Sequence, residues 1–279
     1  MEQPLVSVII RTCGRPDVLK QAIDSVCRQI YNNIEIIVVE DGENLSQQLI
    51  DTEYSDYNIK YYSTGKKKGR SRAGNIGLKM ATGQYYNFLD DDDVLYDDHI
   101  ETLVKVLQQR QCKVAYSIAE EKQIKVYSLT PYKYKVKRDK IRFAQPFNRV
   151  LLYHTNYIPI QSIMFDKSLY EKKGGFDEKL DALEDWDLWV RYSTVEDFTF
   201  VDQITSAYFV NYEKGKKKKR NVTLHNAESY IENKFSQYNL SMSVSEIHMD
   251  MDYVIKKYKT NQLKRYIRLI ADFIIYGER

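Results

Sequence analysis

Four apolar runs rich in β-branched residues, separated by segments of helical spacing, fill the first ninety residues and constrain the fold more than any other feature of the chain. The first run ends at Thr12, and Gly14-Arg15-Pro16 then turns the chain, with Pro16 suited to open a helix because a first-turn N–H has no intrahelical partner to lose. Val18, Leu19, Ala22, Ile23, Val26, Cys27 and Ile30 follow on one helical stripe. A second run, Ile34 to Val39, ends in Glu40-Asp41-Gly42, and Leu45 to Thr52 reads as helix. Ile59 to Ser63 is a third strand, Ser71 to Ala81 a helix closed by Gly83, and Gln84 to Leu89 a fourth strand. Strands joined through helices pair in parallel by right-handed crossovers, so the expected class is α/β, with a mainly parallel central sheet flanked by helices.

Beyond a helix from Asp97 to Gln109 the pattern loosens into strands near Val114 to Ile118 and Lys125 to Leu129, then a basic, Tyr-rich connection. An apolar strand, Ile160 to Phe165, precedes Gly174-Gly175-Phe176-Asp177-Glu178 and a helix opening at Glu184-Asp185-Trp186-Asp187. The last segment, about 225 to 279, has helical periodicity with Leu263, Ile267, Ile270 and Ile274 on one stripe. The expected organisation is a domain over 1–212, in halves 1–100 and 101–212, and a basic loop with a helical C-terminal tail over 213–279.

A net charge of +3 makes no demand for a nucleic-acid partner, and none is expected, although Lys66 to Arg70 and Lys216 to Arg220 are local basic runs. Three cysteines without metal-type spacing fit reduced thiols of a cytoplasmic protein, and Met1-Glu2-Gln3-Pro4 shows no secretory n-region. No apolar stretch approaches the roughly 20 residues that span a bilayer, so membrane contact would be peripheral.

Asp90 to Asp93 stand at the end of the fourth run, where open α/β sheets bind ligands. Crowded carboxylates repel one another unless a cation joins them, so the cluster reads as a divalent-metal site; a solvated acidic turn ahead of the next helix is the plainer alternative.

Five ordered blocks resemble family 2 of the glycosyltransferases, the inverting sugar-nucleotide enzymes of GT-A fold. They are Val6 to Thr12 with Arg15-Pro16, Ile36 to Gly42, Ala73 to Gly77 with Ala81-Thr82-Gly83, Phe88 to Asp93, and Gly174 to Glu178 with Glu184 to Trp189. The resemblance implies transfer of a sugar from a UDP- or TDP-sugar to a hydroxyl of a glycan or lipid-linked glycan, assisted by Mn²⁺ or Mg²⁺, in bacterial surface polysaccharide synthesis. It assigns Asp92 to the metal, with the register open by one residue, and Asp90 to the donor ribose or the metal's water shell, Asp91 standing on the donor side.

By the same resemblance, Asp41 reads the base and Asp185 is the catalytic base, while Glu184 shapes the acceptor side. Each has a plainer alternative: Asp41 as a turn former, Asp185 and Glu184 as a helix cap. Thr12, Arg72 and Asn75 are donor-side candidates, against strand termination, a solvated loop and a loop-holding amide. Tyr157, Gln161 and Trp186 are acceptor-side candidates, although Trp186 and Trp189 share one helical face and fit a core. His225 is a candidate third metal ligand. The tail is a candidate for peripheral membrane contact or for homo-oligomer formation.

Four departures accompany the match: Arg11 stands where proline is usual, Cys13-Gly14 where Tyr-Asn is common, Glu40 where an aspartate is expected, and Gly74 where an arginine often precedes Asn75. They leave open how the diphosphate is held. A noncatalytic sugar-nucleotide-binding module of the same fold is the competing reading, disfavoured by the joint presence of Asp41, Asp92 and Asp185. A nucleotidyltransferase would want a glycine-rich loop after the first strand, where only Gly14 is found.

Overall fold

The computed structural model describes residues 3–211, 217–238 and 242–257, without the side chains of 217–223, 225 and 226. The chain divides into two compact units, Met1–Phe147 with Asn156–Tyr238, and Asn148–Thr155 with Asn239–Arg279.

The first unit begins with the expected alternation: β1 Val6–Thr12, α1 Pro16–Cys27, β2 Ile34–Glu40, α2 Gln47–Glu53, β3 Ile59–Ser63, α3 Arg70–Met80 and β4 Tyr85–Asp90. β1 is buried throughout and pairs in parallel with β2 on one side and β4 on the other, Arg11 facing Val39 and Asp90. On one face Val6, Val8 and Ile10 pack with Leu19, Ile23 and Val26 of α1. On the other, α3 presses so close that a Cβ at Gly77 would stand 2.3 Å from Ile9 Cγ2. That approach needs glycine, and it aims the first turn of α3 at the carboxyl ends of the strands.

Past β4 come β5 Val94–Leu95, α4 His99–Arg110, β6 Val114–Leu129 and β7 Tyr132–Ile141. The two separate strands read from the sequence are one continuous β6, and the basic, Tyr-rich connection is its hairpin partner β7. After α5 Arg149–His154 and a 3₁₀ turn, Ile160–Ser162, the unit resumes with β8 Ile163–Asp166, α6 Lys167–Lys173, α7 Glu184–Ser193, β9 Thr199–Asn211 and α8 Lys217–Phe235. The strand order is β3-β2-β1-β4-β8-β6-β9-β5, with β7 on β6. The parallel arrangement covers β3-β2-β1-β4; β8 then runs antiparallel to both β4 and β6, so the sheet as a whole is mixed. Parallel pairing requires a crossover, and the β6–β7 hairpin replaces one here.

The compact unit extends past the expected boundary at 212 because α8 is locked onto α7. Lys234 Nζ meets Asp187 at 2.7 Å and Asp177 at 2.8 Å, and the Phe235 ring meets Trp186 edge-on at 5.4 Å. In the second unit, α5 carries its own cap, Asn148 accepting from Leu151 N at 2.7 Å. Asn148 Nδ2 also donates to the carbonyl of Asp250 in α9, Val244–Lys257, at 3.0 Å. Ser243 and Glu246 open α9 with a reciprocal capping box. The apolar stripe at Leu263, Ile267, Ile270 and Ile274 lies outside the described residues. Among the described residues no helix is long and apolar enough to cross a membrane.

Candidate active site

Parallel register brings three loops together at the carboxyl ends of β1, β2 and β4. Asp41 N donates to the Thr12 carbonyl at 2.8 Å, and Asp91 N to the Arg11 carbonyl at 3.1 Å. The four aspartates therefore stand beside Thr12 and Asp41 as the sequence implied, but their side chains diverge. Asp90 accepts two bonds from Arg11, at 2.7 and 2.9 Å. Burial opposes its ionisation, yet Arg11 and Arg70 outweigh burial and hold its pKa below the ordinary value. Asp91 is buried and accepts from Thr12 Oγ1 at 2.7 Å and from Arg15. There burial wins over Arg15 and pushes the carboxyl up to about 6. Asp93 accepts from Phe209 N at 3.1 Å, and burial followed by the Asp92 charge raises its pKa well above the usual range. Asp92 is the open one, with a side chain 37% exposed and Arg15 Nη1 at 3.3 Å.

Among the described residues no three acids, histidines or cysteines converge into a ready metal cage. The donor set still fits a divalent ion of the kind that takes one or two carboxylates and completes its shell with substrate phosphates, because Asp92 offers exposed hard oxygen. Asp90 gives one oxygen, Oδ1, to both Arg11 bonds, which leaves Oδ2 as its hard oxygen for such an ion. The His225 side chain lies outside the described residues.

Arg11 ties the two halves of the site together. Its guanidinium is buried, reaches Glu184 Oε1 at 2.8 Å as well as Asp90, and lies 5.5 Å from the Phe176 ring centre. Its Cδ is 3.6 Å from where a Cβ at Gly74 would stand. The Phe176 ring is nearer still, at 2.5 Å, so Arg11 and Phe176 together flank Gly74. Arg70, at the start of α3, stands 3.8 Å from the same Glu184 oxygen.

Asp185 sits in the first turn of α7, where Leu183 is in the left-handed region at φ 60°. It accepts from Asn156 Nδ2 at 2.9 Å and from Trp186 N at 2.9 Å. Burial first, then the neighbouring Glu184 charge, push its carboxyl up to about 6. A group poised there is partly unprotonated at neutral pH and still basic enough to accept a proton.

The remaining candidates make structural contacts of their own, and Asn75 and Trp186 take the loop-holding and core roles weighed for them. Asp41 accepts from the backbone N–H groups of Lys68 and Gly69, at 2.6 and 2.9 Å, so it organises the basic loop and has other lone pairs left for a ligand. Asn75 gives its amide to the backbone of Phe176, at 3.0 and 2.8 Å, and acts as a loop holder. Arg72 is exposed, with Nε 3.9 Å from Glu178 Oε2. Tyr157 and Gln161 are buried, the former against Tyr116, and neither lines an open groove. Trp186 is buried as well, against Phe235.

Sequence reasoning missed Arg11, Arg15 and Asn156 as site residues, and named Arg70 only within a basic run. Arg11 alone carried a usable signal, a charge inside an otherwise apolar strand. Glu40, read only as a departure, accepts from Gly14 N, Leu45 N, Ser46 N and Tyr61 Oη and so fixes two of the loops around the site.

The comparisons with known proteins bear on the family and the fold. The family model for Glycosyl transferase family 2 matches residues 7–172. An uncharacterized glycosyltransferase of Rickettsia prowazekii is 31% identical over 207 residues, covering 72% of this chain and 62% of the relative, so the chain spans less than two thirds of that protein. Among solved structures, S. aureus TarS 1–349 in complex with UDP-GlcNAc superposes with a TM-score of 0.67 at 13% identity, covering 93% of this chain and 74% of that one. The mannosyltransferase PcManGT from Pyrobaculum calidifontis, in complex with GDP-Man and Mn²⁺, gives 0.65 at 15% identity, covering 87% and 67%. At such identities the likeness is one of fold, and it agrees with the GT-A arrangement described above. With the profile matched across β1 to α6, the chain belongs to glycosyltransferase family 2.

Proposed function

We propose that the chain moves one sugar from a uridine- or thymidine-diphosphate sugar to a hydroxyl of a glycan acceptor, with inversion, in the assembly of a bacterial surface polysaccharide. The observation that carries this reading is Asp185, a carboxylate raised to about 6 and linked through Glu184 and Arg11 to the aspartate loop. In-line displacement at the anomeric carbon needs one base on the face opposite the leaving diphosphate, and Asp185 takes the acceptor proton. Asn156 and the Trp186 N–H hold its carboxylate in orientation.

On the donor side, Asp41 accepts from the nucleobase and keeps the Lys68–Gly69 loop in place, while Arg70 and Arg15 face the diphosphate. Asp92 is the residue that would hold a Mn²⁺ or Mg²⁺ ion, and such an ion would supply positive charge against the charge developing on the leaving diphosphate. The UDP-GlcNAc complex of TarS supports a uridine donor, and the Mn²⁺ in PcManGT supports a divalent cation.

The test is a panel of sugar nucleotides incubated with Mn²⁺, Mg²⁺ or chelator, scoring donor hydrolysis and nucleotide release. Turnover of one UDP- or TDP-sugar that stops with chelator and with Asp92→Asn is the expected result. Turnover indifferent to both sinks the metal assignment, and no turnover of any donor sinks the transferase reading.

A further inference from the structure

The β6–β7 hairpin carries a charge distribution that the chemistry above does not use. From Gln123 to Arg138 it holds Lys125, Lys133, Lys135, Lys137 and Arg138 and no acid, on a chain whose whole net charge is +3. The hairpin's acids lie at its base and are matched there: Glu120 with Lys122 at 2.8 Å, Glu121 with Lys140 at 3.0 Å, Asp139 with Lys122 at 3.8 Å. Among the described residues the five distal cations form no ion pair, and all are exposed. Lys125 stands directly opposite Lys135 in register, a like-charge pair that costs stability. Lys133 follows on the same face at roughly 6.7 Å, the two-residue spacing of a strand. Beside them Tyr127 is 59% exposed, its ring 5.5 Å from Lys125 Nζ.

The opposite face ties the hairpin to the active site. Tyr132 and Tyr134 lie 5.3 Å apart, Tyr134 meets the Phe209 ring at 5.3 Å, and Phe209 N–H is the donor to Asp93. Lysines on an edge strand also deter pairing with another chain, but one or two serve that end, and a facing like-charge pair adds only cost. Cations strung along a strand that starts beside the aspartate loop, with an open tyrosine ring among them, match an extended ligand of sugars and anions better than a flat headgroup layer.

We propose that the outer face of this hairpin binds the acceptor, and that the acceptor is an anionic glycan bearing carboxylate or phosphate groups along its chain. This rests on the transferase reading and names its substrate class. Anionic groups engage Lys125, Lys133, Lys135 and the cations beyond them, and Tyr127 packs on a sugar ring, which places one end of the chain near Asp185 and the donor.

The probe is fluorescently labelled oligogalacturonate, with neutral maltooligosaccharide and phosphatidylglycerol-containing vesicles as comparison ligands. The parent protein should bind oligogalacturonate with an affinity that falls as salt rises, and bind the neutral oligomer far more weakly. The triple variant Lys125→Gln/Lys133→Gln/Lys135→Gln should lose about 10-fold, a few-fold per exposed cation, with a melting temperature no lower than the parent's, since the facing like-charge pair is relieved. Lys→Arg at the same three positions should restore it. Equal binding by parent and Gln variant, absence of oligogalacturonate binding, or loss of vesicle binding alone would each overturn the proposal, the last in favour of a membrane surface. UDP affinity with Mn²⁺, read on the same samples, separates the two readings: its absence from the parent counts against the donor assignment, and its retention beside failed glycan binding counts against the hairpin.

Discussion

Buried carboxylates stand at both ends of β1 and β2, and the two ends treat them in opposite ways. At the amino end, Glu35 accepts from Ser7 Oγ at 2.6 Å, Thr82 N at 2.6 Å, Gly83 N at 3.1 Å and Lys60 Nζ at 2.6 Å. Burial opposes its ionisation, but Lys60, Ser7 and Thr82 together bring it down to about 2. At the carboxyl end, Asp91 and Asp185 are pushed up to about 6 and Asp93 is raised as well, because burial and neighbouring acids outweigh the partners supplied. A satisfied carboxylate ties strands together; one left short of partners is held ready for a cation or a proton.

The sharpest way to break this contrast is Asp185→Asn. Transfer should fall by about 10²–10⁴-fold, the usual worth of a positioned base, while UDP affinity stays near parental and the fold is not destabilised. Near-parental transfer with slightly lower stability would instead make Asp185 a helix cap. Arg11→Met probes a carboxyl-end acid, Asp90, whose pKa is lowered by its partners as that of Glu35 is. It strands Asp90 and Glu184, so unfolding in urea should show a loss of about 3–5 kcal/mol; a loss under about 1 kcal/mol would mean that water or Arg70 replaces it.

Glu35→Gln should cost about 1–3 kcal/mol by leaving donors unmatched, with no change in UDP affinity, since nothing at that end faces the site. A change in nucleotide binding would erase the distinction between the ends. The smallest effect is in pH. Glu35, with a lowered pKa, contributes stability that is present above about pH 4.5 and is lost as pH falls towards 2. Asp185, with a raised pKa, contributes in the other sense: its stabilisation is complete below about pH 4 and is lost as pH rises through about 6. Asp185→Asn should therefore be more stable than the parent at pH 8, by up to about 2 kcal/mol, and gain nothing at pH 4. Equal differences at both pH values would show that Asp185 is not raised.

The architecture of the first half was legible in order, because each strand or helix declares itself within a window of ten residues, although Ile30, read onto the first helical stripe, lies past α1 and is 53% exposed. Leu19, Ile23 and Val26 are a stripe before any fold exists, and they face the core as the stripe requires. The second half was harder to read. β6 alternates buried and exposed positions only along its basic distal part, and a hairpin of lysines and tyrosines resembles a loop until it is paired. Likewise α8 scans as part of a separate tail, and contacts made by Tyr230, Lys234 and Phe235 bring it into the first unit.

What the sequence by itself determined is the parallel strand-helix core, the loop on which the four aspartates stand, and the helix that starts at Glu184-Asp185. Those follow from local periodicity and chain order. Tertiary structure decided where each acid points and what it costs to ionise. Arg11 reaches Glu184 across 173 residues of chain and Asp90 across 79, and Asn156 reaches Asp185 across 29. It also sent Asn75 to Phe176 and sank Tyr157 and Gln161 into the interior. A carboxylate's direction and proton affinity depend on the partners and the dielectric around it, and those are assembled only when distant segments of the chain meet.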